Sequence, residues 1–340
     1  MGVGVVNAKR NARQRDTNGP KPRDRPVELM KAGRGEFAAI RRIGDGLSGR
    51  SPARPSGEVW IGDDAAVLAP TGGTLLLTTD LTVGGVHADL DLMGLDDLGW
   101  RALVAAVSDI AAMGGVPAHV LVAVAGPPST DLALLYEGIG SAAEANGCPV
   151  VGGDLSTARE LVVSVSVTGF VDGGPPPVLR SGARPGDALL VTGAVGASAA
   201  GLRVLRSGRR QGAQAVVESH LRPNARVKEG EAARLAGASA MIDVSDGLAA
   251  DLGHMAEASG VGLELGHVPV AEGATEAEAL GGGEDYELVI ATPDPARLVA
   301  AYVATGLGEP IPIGVCTGDR DQRTLGGVVF RVTGFEHPWE

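Results

Sequence analysis

The sequence predicts an α+β fold of two domains, each built from strands alternating with helices. Three observations predict it. From Gly35 onward, short apolar runs of strand length alternate with stretches that repeat at helical spacing. A segment dense in Pro and Gly, DGGPPPVLRSGARPGD at 172–187, interrupts that alternation, and the pattern restarts beyond it. The 340 residues suffice for two separate cores. The boundaries drawn this way are a tail, 1–34, a first domain, 35–171, the linker, 172–187, and a second domain, 188–340.

In the first domain, TLLLTTD (74–80) reads as a buried strand ending in a carboxylate. LDDLGWRALVAAVSDIAAMGG (95–115) reads as a helix, with Asp96 or Asp97 near its start and Gly114–Gly115 as its stop. AHVLVAVAG (118–126) is a strand, 130–147 a helix closed by Gly147, and ELVVSVSVTGFV (160–171) another strand. In the second domain ALLVTG (188–193) is a strand, followed by three helical stretches between 197 and 237. AMIDV is a strand, 247–259 a helix, VGLEL a strand, YELVIAT (286–292) a strand and 294–306 a helix.

The composition excludes several classes. No apolar run reaches the length needed to cross a bilayer, and no apolar block resembling a secretion signal opens the chain. The only cysteines, Cys148 and Cys316, stand alone, and the six histidines are scattered, so neither a disulfide framework nor a zinc site is indicated. A reducing cytoplasm fits that usage. The net charge is −12, yet residues 1–35 carry nine Lys/Arg against three acids, leaving the remainder near −18. The tail reads as a disordered basic arm. The acidic body argues against nucleic acid as the main partner. Of four lysines only Lys228 lies outside the tail, so the chemistry does not rest on several lysines.

Five motifs place aspartates at strand ends or glycine-rich turns: GDDAAV (62–67), TTDLTVGGVH (78–87), VSDIAAMGG (107–115), VGGDLS (151–156) and DVSDGL (243–248). Singly each has an ordinary explanation, since an Asp before a helix caps it and an Asp beside Gly turns the chain. If they converge, mutual repulsion protonates some of them unless a cation compensates. Oxygen donors without Cys or clustered His select Mg²⁺ or Ca²⁺, and carboxylate-held Mg²⁺ shares its coordination with substrate phosphates. There is no G-x-x-x-x-G-K-[ST] and no protein-kinase signature set, so neither a P-loop nor a protein kinase is indicated.

The order GDDAAVL, TTDLTVGGVH, SDIAAMGG, VGGD, LLVTGAVGASAAGL, HLRPNAR, IDVSDGL, GGGEDYEL resembles the thiamine-monophosphate kinase family, over roughly residues 35 to 337. That family lies within the aminoimidazole ribonucleotide synthetase-like superfamily. The resemblance implies ATP-dependent phosphorylation of thiamine monophosphate to thiamine diphosphate by direct in-line transfer, assisted by several magnesium ions. It implies a homodimer whose N-terminal domains pair into a β-barrel, with ATP sites near that interface. It also implies which residues do the work. Asp64, Thr78, Thr79, Asp80, Asp109, Asp154, Asp243 and Asp246 look like the magnesium set. Tyr136, Gly153, Asp154, Arg180 and Ser245 match ATP-contacting positions, and His87, Glu284 and Phe335 match positions that meet the thiamine phosphate. No side chain is expected to act as a general acid or base, and catalysis is expected to be electrostatic.

The ordinary alternatives for these residues are a turn histidine, a solvated arginine, a loop-end glutamate and C-terminal packing. The chain departs from the family pattern at Ala88, at GGDLSTA and at the GFEHPWE end, which bears on the shape of the acceptor pocket. Rivals are other ATP-using members of the superfamily and a non-catalytic nucleotide-binding relative. The former lack support because no reactive Cys lies in a Gly-rich loop or at the C-terminal end.

Overall fold

The computed structural model describes residues 42–47, 49–50, 55, 73–208, 210–332 and 334–335. Asp64 with its GDDAAV motif and the basic tail 1–34 lie outside the described residues.

The first sheet has four strands in the order β1-β4-β2-β3. These are β1 (Thr74–Val83), β2 (Val116–Gly126), β3 (Val150–Thr157) and β4 (Val162–Val171). Alternation in β4 sends Val163, Val165, Val167 and Val171 into a core shared with Val120, Val122 and Val124 of β2. Against that face pack α1 (Leu95–Ala112) and α2 (Leu132–Ala145). The opposite face stays open among the described residues, with Leu75 57%, Leu77 72%, Leu81 49% and Leu121 45% exposed.

The second sheet has seven strands in the order β11-β10-β7-β9-β5-β8-β6. They are β5 (Ala188–Val191), β6 (Ala240–Asp243), β7 (Gly262–Leu265), β8 (Leu288–Thr292), β9 (Ile311–Thr317), β10 (Arg323–Leu325) and β11 (Val328–Val329). Its central strands are apolar on both faces and feed two cores. Leu189, Val191, Ile242 and Val289 join Leu252 and Met255 of α6 (Leu248–Ser259). Leu190, Met241, Leu288 and Ile290 join Ala233 of α5 (Val227–Ala236), and Leu298 and Tyr302 of α8 (Pro295–Ala304). Three shorter helices complete the domain: α3 (Ala197–Ser207), α4 (Gln214–Leu221) and α7 (Glu276–Gly281).

α1 joins the halves. It packs on β1, β4 and α2 of its own domain and on α5 and β6 of the other. Flanked on both sides, it is buried along 101–112 except at Asp109. The proline-rich linker is also fixed. Val178 N–H donates to Met113 O at 3.0 Å, Met241 N–H to Leu179 O at 3.0 Å, and the buried Arg234 donates to Gly114 O (2.9 Å), Gly173 O (3.1 Å) and Pro175 O (2.6 Å).

Elements with strong periodicity fall where the sequence predicts them, within a few residues. The strand expected from Tyr286 begins instead at Leu288, because Glu284 and Tyr286 take positive φ of 66° and 52°. β3 falls in VVGGDLST, where paired glycines hide the strand pattern. Gly153 has a steric reason of its own: a Cβ there would lie 1.8 Å from Val122 O of the parallel neighbour.

Candidate active site

The end of β6 and the loop after it stand beside α1. β6 buries its last residue, Asp243, whose Oδ2 accepts from Ser108 Oγ of α1 at 2.7 Å. One residue along α1, Asp109 accepts from Thr78 Oγ1 of β1 at 2.5 Å. Asp80, two residues further along β1, shares the face of Thr78 by strand alternation. Burial first, and then Asp109 and Asp246 nearby, push the Asp243 carboxyl up to about 7. Asp109 is exposed toward the cleft but enclosed enough that burial raises its pKa. Its hydrogen bond from Thr78 opposes the rise, Asp80 adds to it, and Arg180 opposes it. Thr78, Asp80, Asp109, Asp243, Asp246 and Arg180 therefore share one neighbourhood, drawn from both domains.

Thr79 points to the other face of β1. Its hydroxyl accepts from Ser166 Oγ at 3.0 Å and donates to Val165 O at 3.4 Å, on the face away from Asp109. Asp154 also stands apart. β3 and β1 are the two edges of the first sheet, three strand spacings or about 14 Å apart. Asp154 lies instead beside Tyr136, whose phenol is pushed up by burial and by that carboxylate. Tyr136, Leu155, Ser156 and Thr157 line a cavity of about 920 Å³ with Arg42 and Arg50.

The DVSDG loop settles whether its aspartates cap the following helix. The N-cap of α6 is Gly247, with no side-chain cap. The acceptor is Asp251, one turn into the helix, whose Oδ2 receives the N–H groups of Ser245, Asp246 and Gly247, each at 3.1 Å. The ordinary explanation, that an Asp before a helix caps it, therefore does not hold for Asp243 or Asp246. Burial, with Asp243 and Asp246, raises the Asp251 carboxyl to about 8. Ligand atoms of Asp246, Asp251 and His254 lie within 4.8 Å of one another, but Asp251 is already engaged by those three amides.

The residues expected at the acceptor end gather around the same loop. His87 and Phe335 meet edge to face, with ring centroids 6.5 Å apart, and His87 Nδ1 accepts from Val83 N–H at 3.0 Å. Phe335 N–H donates to Asp246 O at 3.0 Å, and Glu284 N–H donates to Ser245 O at 2.8 Å. Gly283 permits that approach, since a Cβ on it would lie 2.3 Å from Ser245 O. Asp285 turns away and accepts from Gly196 N–H (2.5 Å) and Ser198 N–H (2.9 Å), capping α3 from outside.

Sequence reasoning missed Arg101, Ser108, Asp251 and Tyr286. Tyr286 is carried by the second domain yet packs in the core of the first, amid Glu284, Arg101, Asp80 and Asp243. The signal for Ser108 and Asp251 was present, since each lies inside or just after a motif singled out for another residue.

The two-domain fold is that of the AIR synthase related proteins. The model of the "AIR synthase related protein, N-terminal domain" matches residues 62–171, and that of the C-terminal domain matches 184–325. The thiamine-monophosphate kinase of Mycobacterium tuberculosis H37Rv is 37% identical over 301 residues, covering 87% of this chain and 85% of the relative. A crystal structure of thiamine-monophosphate kinase from Stenotrophomonas maltophilia K279a superposes with a TM-score of 0.73 at 31% identity, over 83% of this chain and 94% of that one. "AaThiL complexed with AMPPCP and TMP" has a TM-score of 0.71 at 31% identity, over 89% and 97%. The chain belongs to the thiamine-monophosphate kinase family.

Proposed function

We propose that this chain transfers the γ-phosphoryl group of ATP to the phosphate of thiamine monophosphate, in line and without a phosphoenzyme. The carrying observation is the seam cluster, where the carboxyl of Asp243 sits among Asp109 and Asp246 with its pKa raised to about 7. Kinship with thiamine-monophosphate kinases, one structure of which is described with AMPPCP and TMP, supports the substrates.

The residues fit magnesium. Asp80, Asp109, Asp243, Asp246 and Thr78 offer carboxylate and hydroxyl oxygens with neither thiolate nor imidazole among them, and their mutual repulsion is the signature of a site awaiting positive charge. Bound there, magnesium would supply charge neutralisation between two polyanions. The phosphate of a monoester is already ionised near neutrality, so no side chain need take its proton; positioning and charge are what the reaction requires. Arg180, close enough to Asp109 to oppose its pKa rise, offers a guanidinium to a phosphate oxygen. Ser245, whose amide is fixed by Asp251, presents its side chain from a loop held at three points. His87 and Phe335 frame the acceptor, where an aromatic ring suits a cationic thiazolium.

Asp154 and Tyr136 gain a place in this scheme through a second copy. Leu75, Leu77, Leu81 and Leu121 form an apolar patch on the open sheet face, and pairing of two such faces would cover it. Pairing would also put the Asp154 edge of one chain within reach of the other's seam, with the Tyr136 cavity for the nucleotide base.

The test is direct. Protein, ATP, Mg²⁺ and thiamine monophosphate together should yield thiamine diphosphate and ADP, and unphosphorylated thiamine should yield neither. A chiral γ-phosphate should transfer with inversion. Retention, or a labelled phosphoprotein, would overturn the in-line route, and tight Mg-ATP binding without turnover would overturn the kinase reading.

A further inference from the structure

Arg101 is a cation held almost wholly away from water, with 4% of its side chain exposed. An isolated charge in that setting is costly, so its partners show what it is for. It rises from α1, seven residues before Ser108. Its Nη2 donates to Glu284 Oε1 across the domain seam, and its Nη1 donates to the carbonyl of His220 at the end of α4.

Glu284 is held in an unusual way. Its φ of 66° is uncommon for a residue with a Cβ, and Tyr286 two residues on repeats the conformation. Backbone bonds to Ser245 O and Val244 O, together with the close approach of Gly283, keep the segment against the DVSDG loop. The strained turn sets where the Glu284 side chain starts, and Arg101 sets where it ends. With Oε1 occupied by the guanidinium, Oε2 is the oxygen left to meet a ligand.

The neighbouring His220 adds no second cation to that pairing among the described residues. His220, beside Arg101 with Nδ1 3.3 Å from Nη1, also has Ser198 Oγ at 3.0 Å from the same nitrogen. Burial first, then Arg101 and Arg206, lower its pKa to about 3, so the ring is neutral at working pH.

We infer that Arg101 is a positioning residue for the acceptor site: it fixes the rotamer of Glu284 so that the free carboxylate oxygen meets the nitrogen heterocycle of thiamine monophosphate. The inference rests on the kinase reading and on Glu284 lying in the acceptor site. Arg101 itself touches neither substrate, so its removal acts on the acceptor through Glu284 and leaves the nucleotide end alone.

Steady-state kinetics of Arg101→Met, Arg101→Lys, Glu284→Gln and the Arg101→Met/Glu284→Gln double variant test this. Arg101→Met should raise KM for thiamine monophosphate about tenfold, the scale of one lost charged hydrogen bond, while KM for ATP stays within about twofold. Arg101→Lys, which keeps the charge but not the fork, should recover part of the loss and also serves if the methionine variant does not fold. In the Glu284→Gln background, Arg101→Met should add little. Equal rises in both KM values, a lowered melting temperature with unchanged kinetics, or independent additive effects would overturn the inference. A wild-type chain that forms no thiamine diphosphate overturns the kinase reading and the inference with it. An unchanged KM in Glu284→Gln overturns the placement of Glu284 alone among the readings of the site, and again the inference falls.

Discussion

The two sheets of this molecule solve the same problem differently. The central strands of the seven-stranded sheet are buried on both faces, with Leu189 and Val191 turned to one core and Leu190 to the other. The four-stranded sheet buries one face and leaves the leucines of β1 on the other exposed among the described residues. The first arrangement is covered on both sides; the second leaves an apolar surface uncovered among the described residues. The acidic cluster lies between the two sheets, beside α1, so each sheet contributes carboxylates while only one is covered on both faces.

The seam should give the largest effect. Asp243→Asn removes a charge from the centre of the cluster while its amide oxygen can still accept from Ser108. Turnover should fall by roughly a hundredfold or more, on the scale of losing a main electrostatic contributor. Circular dichroism and the melting temperature should show a folded protein. An unfolded variant would mean that Asp243 serves structure instead.

The contrast between the sheets is sharpened by a matched pair. Leu190→Ala opens a cavity in a core enclosed by one chain and should cost about 2–5 kcal/mol at any protein concentration. Leu77→Asp puts a charge on the open face; sedimentation should show a monomer, with monomer stability changed by no more than about 0.5 kcal/mol. If Leu77→Asp destabilises a chain that was monomeric from the start, that face is covered from within and the comparison breaks.

A smaller effect follows from pH. Asp243 has its carboxyl raised from 3.8 to about 7 in the folded chain. The folded state thus holds a proton that the unfolded chain releases near pH 4, and metal-free stability should decline as pH rises from there through about 7. Melting temperatures without divalent metal should show that decline, and Mg²⁺ should reduce it. In Asp243→Asn the decline should flatten, leaving the part due to Asp251, Asp285 and Asp109.

Much of this was legible in the sequence, and the boundary of legibility is physical. Strands and helices whose apolar spacing is regular were readable, as were the aspartates whose motif order carries the family resemblance. β3 was not, because Gly152 and Gly153 remove the side chains on which strand patterns depend, and parallel pairing to β2 supplies what the local sequence withholds. The grouping of site residues was only partly readable. Motif order does not encode strand order, so nothing in VGGDLS shows that Asp154 sits on the edge opposite Asp80. The ordinary capping explanation fails in DVSDGL for a related reason: the acceptor of the loop amides is Asp251, on the far side of the turn from the residues that precede it. Arg101 was invisible because a lone arginine in an apolar helix gains meaning only from Glu284, 183 positions away.

The linker has one further consequence. Segments rich in Pro and Gly between domains usually act as hinges. Here Arg234, itself buried, grips the carbonyls of Gly173 and Pro175 together with Gly114, and Val178 and Leu179 are bonded to opposite domains. A joint mortared on both sides does not swing. A protease that nicked the linker would leave two pieces travelling as one.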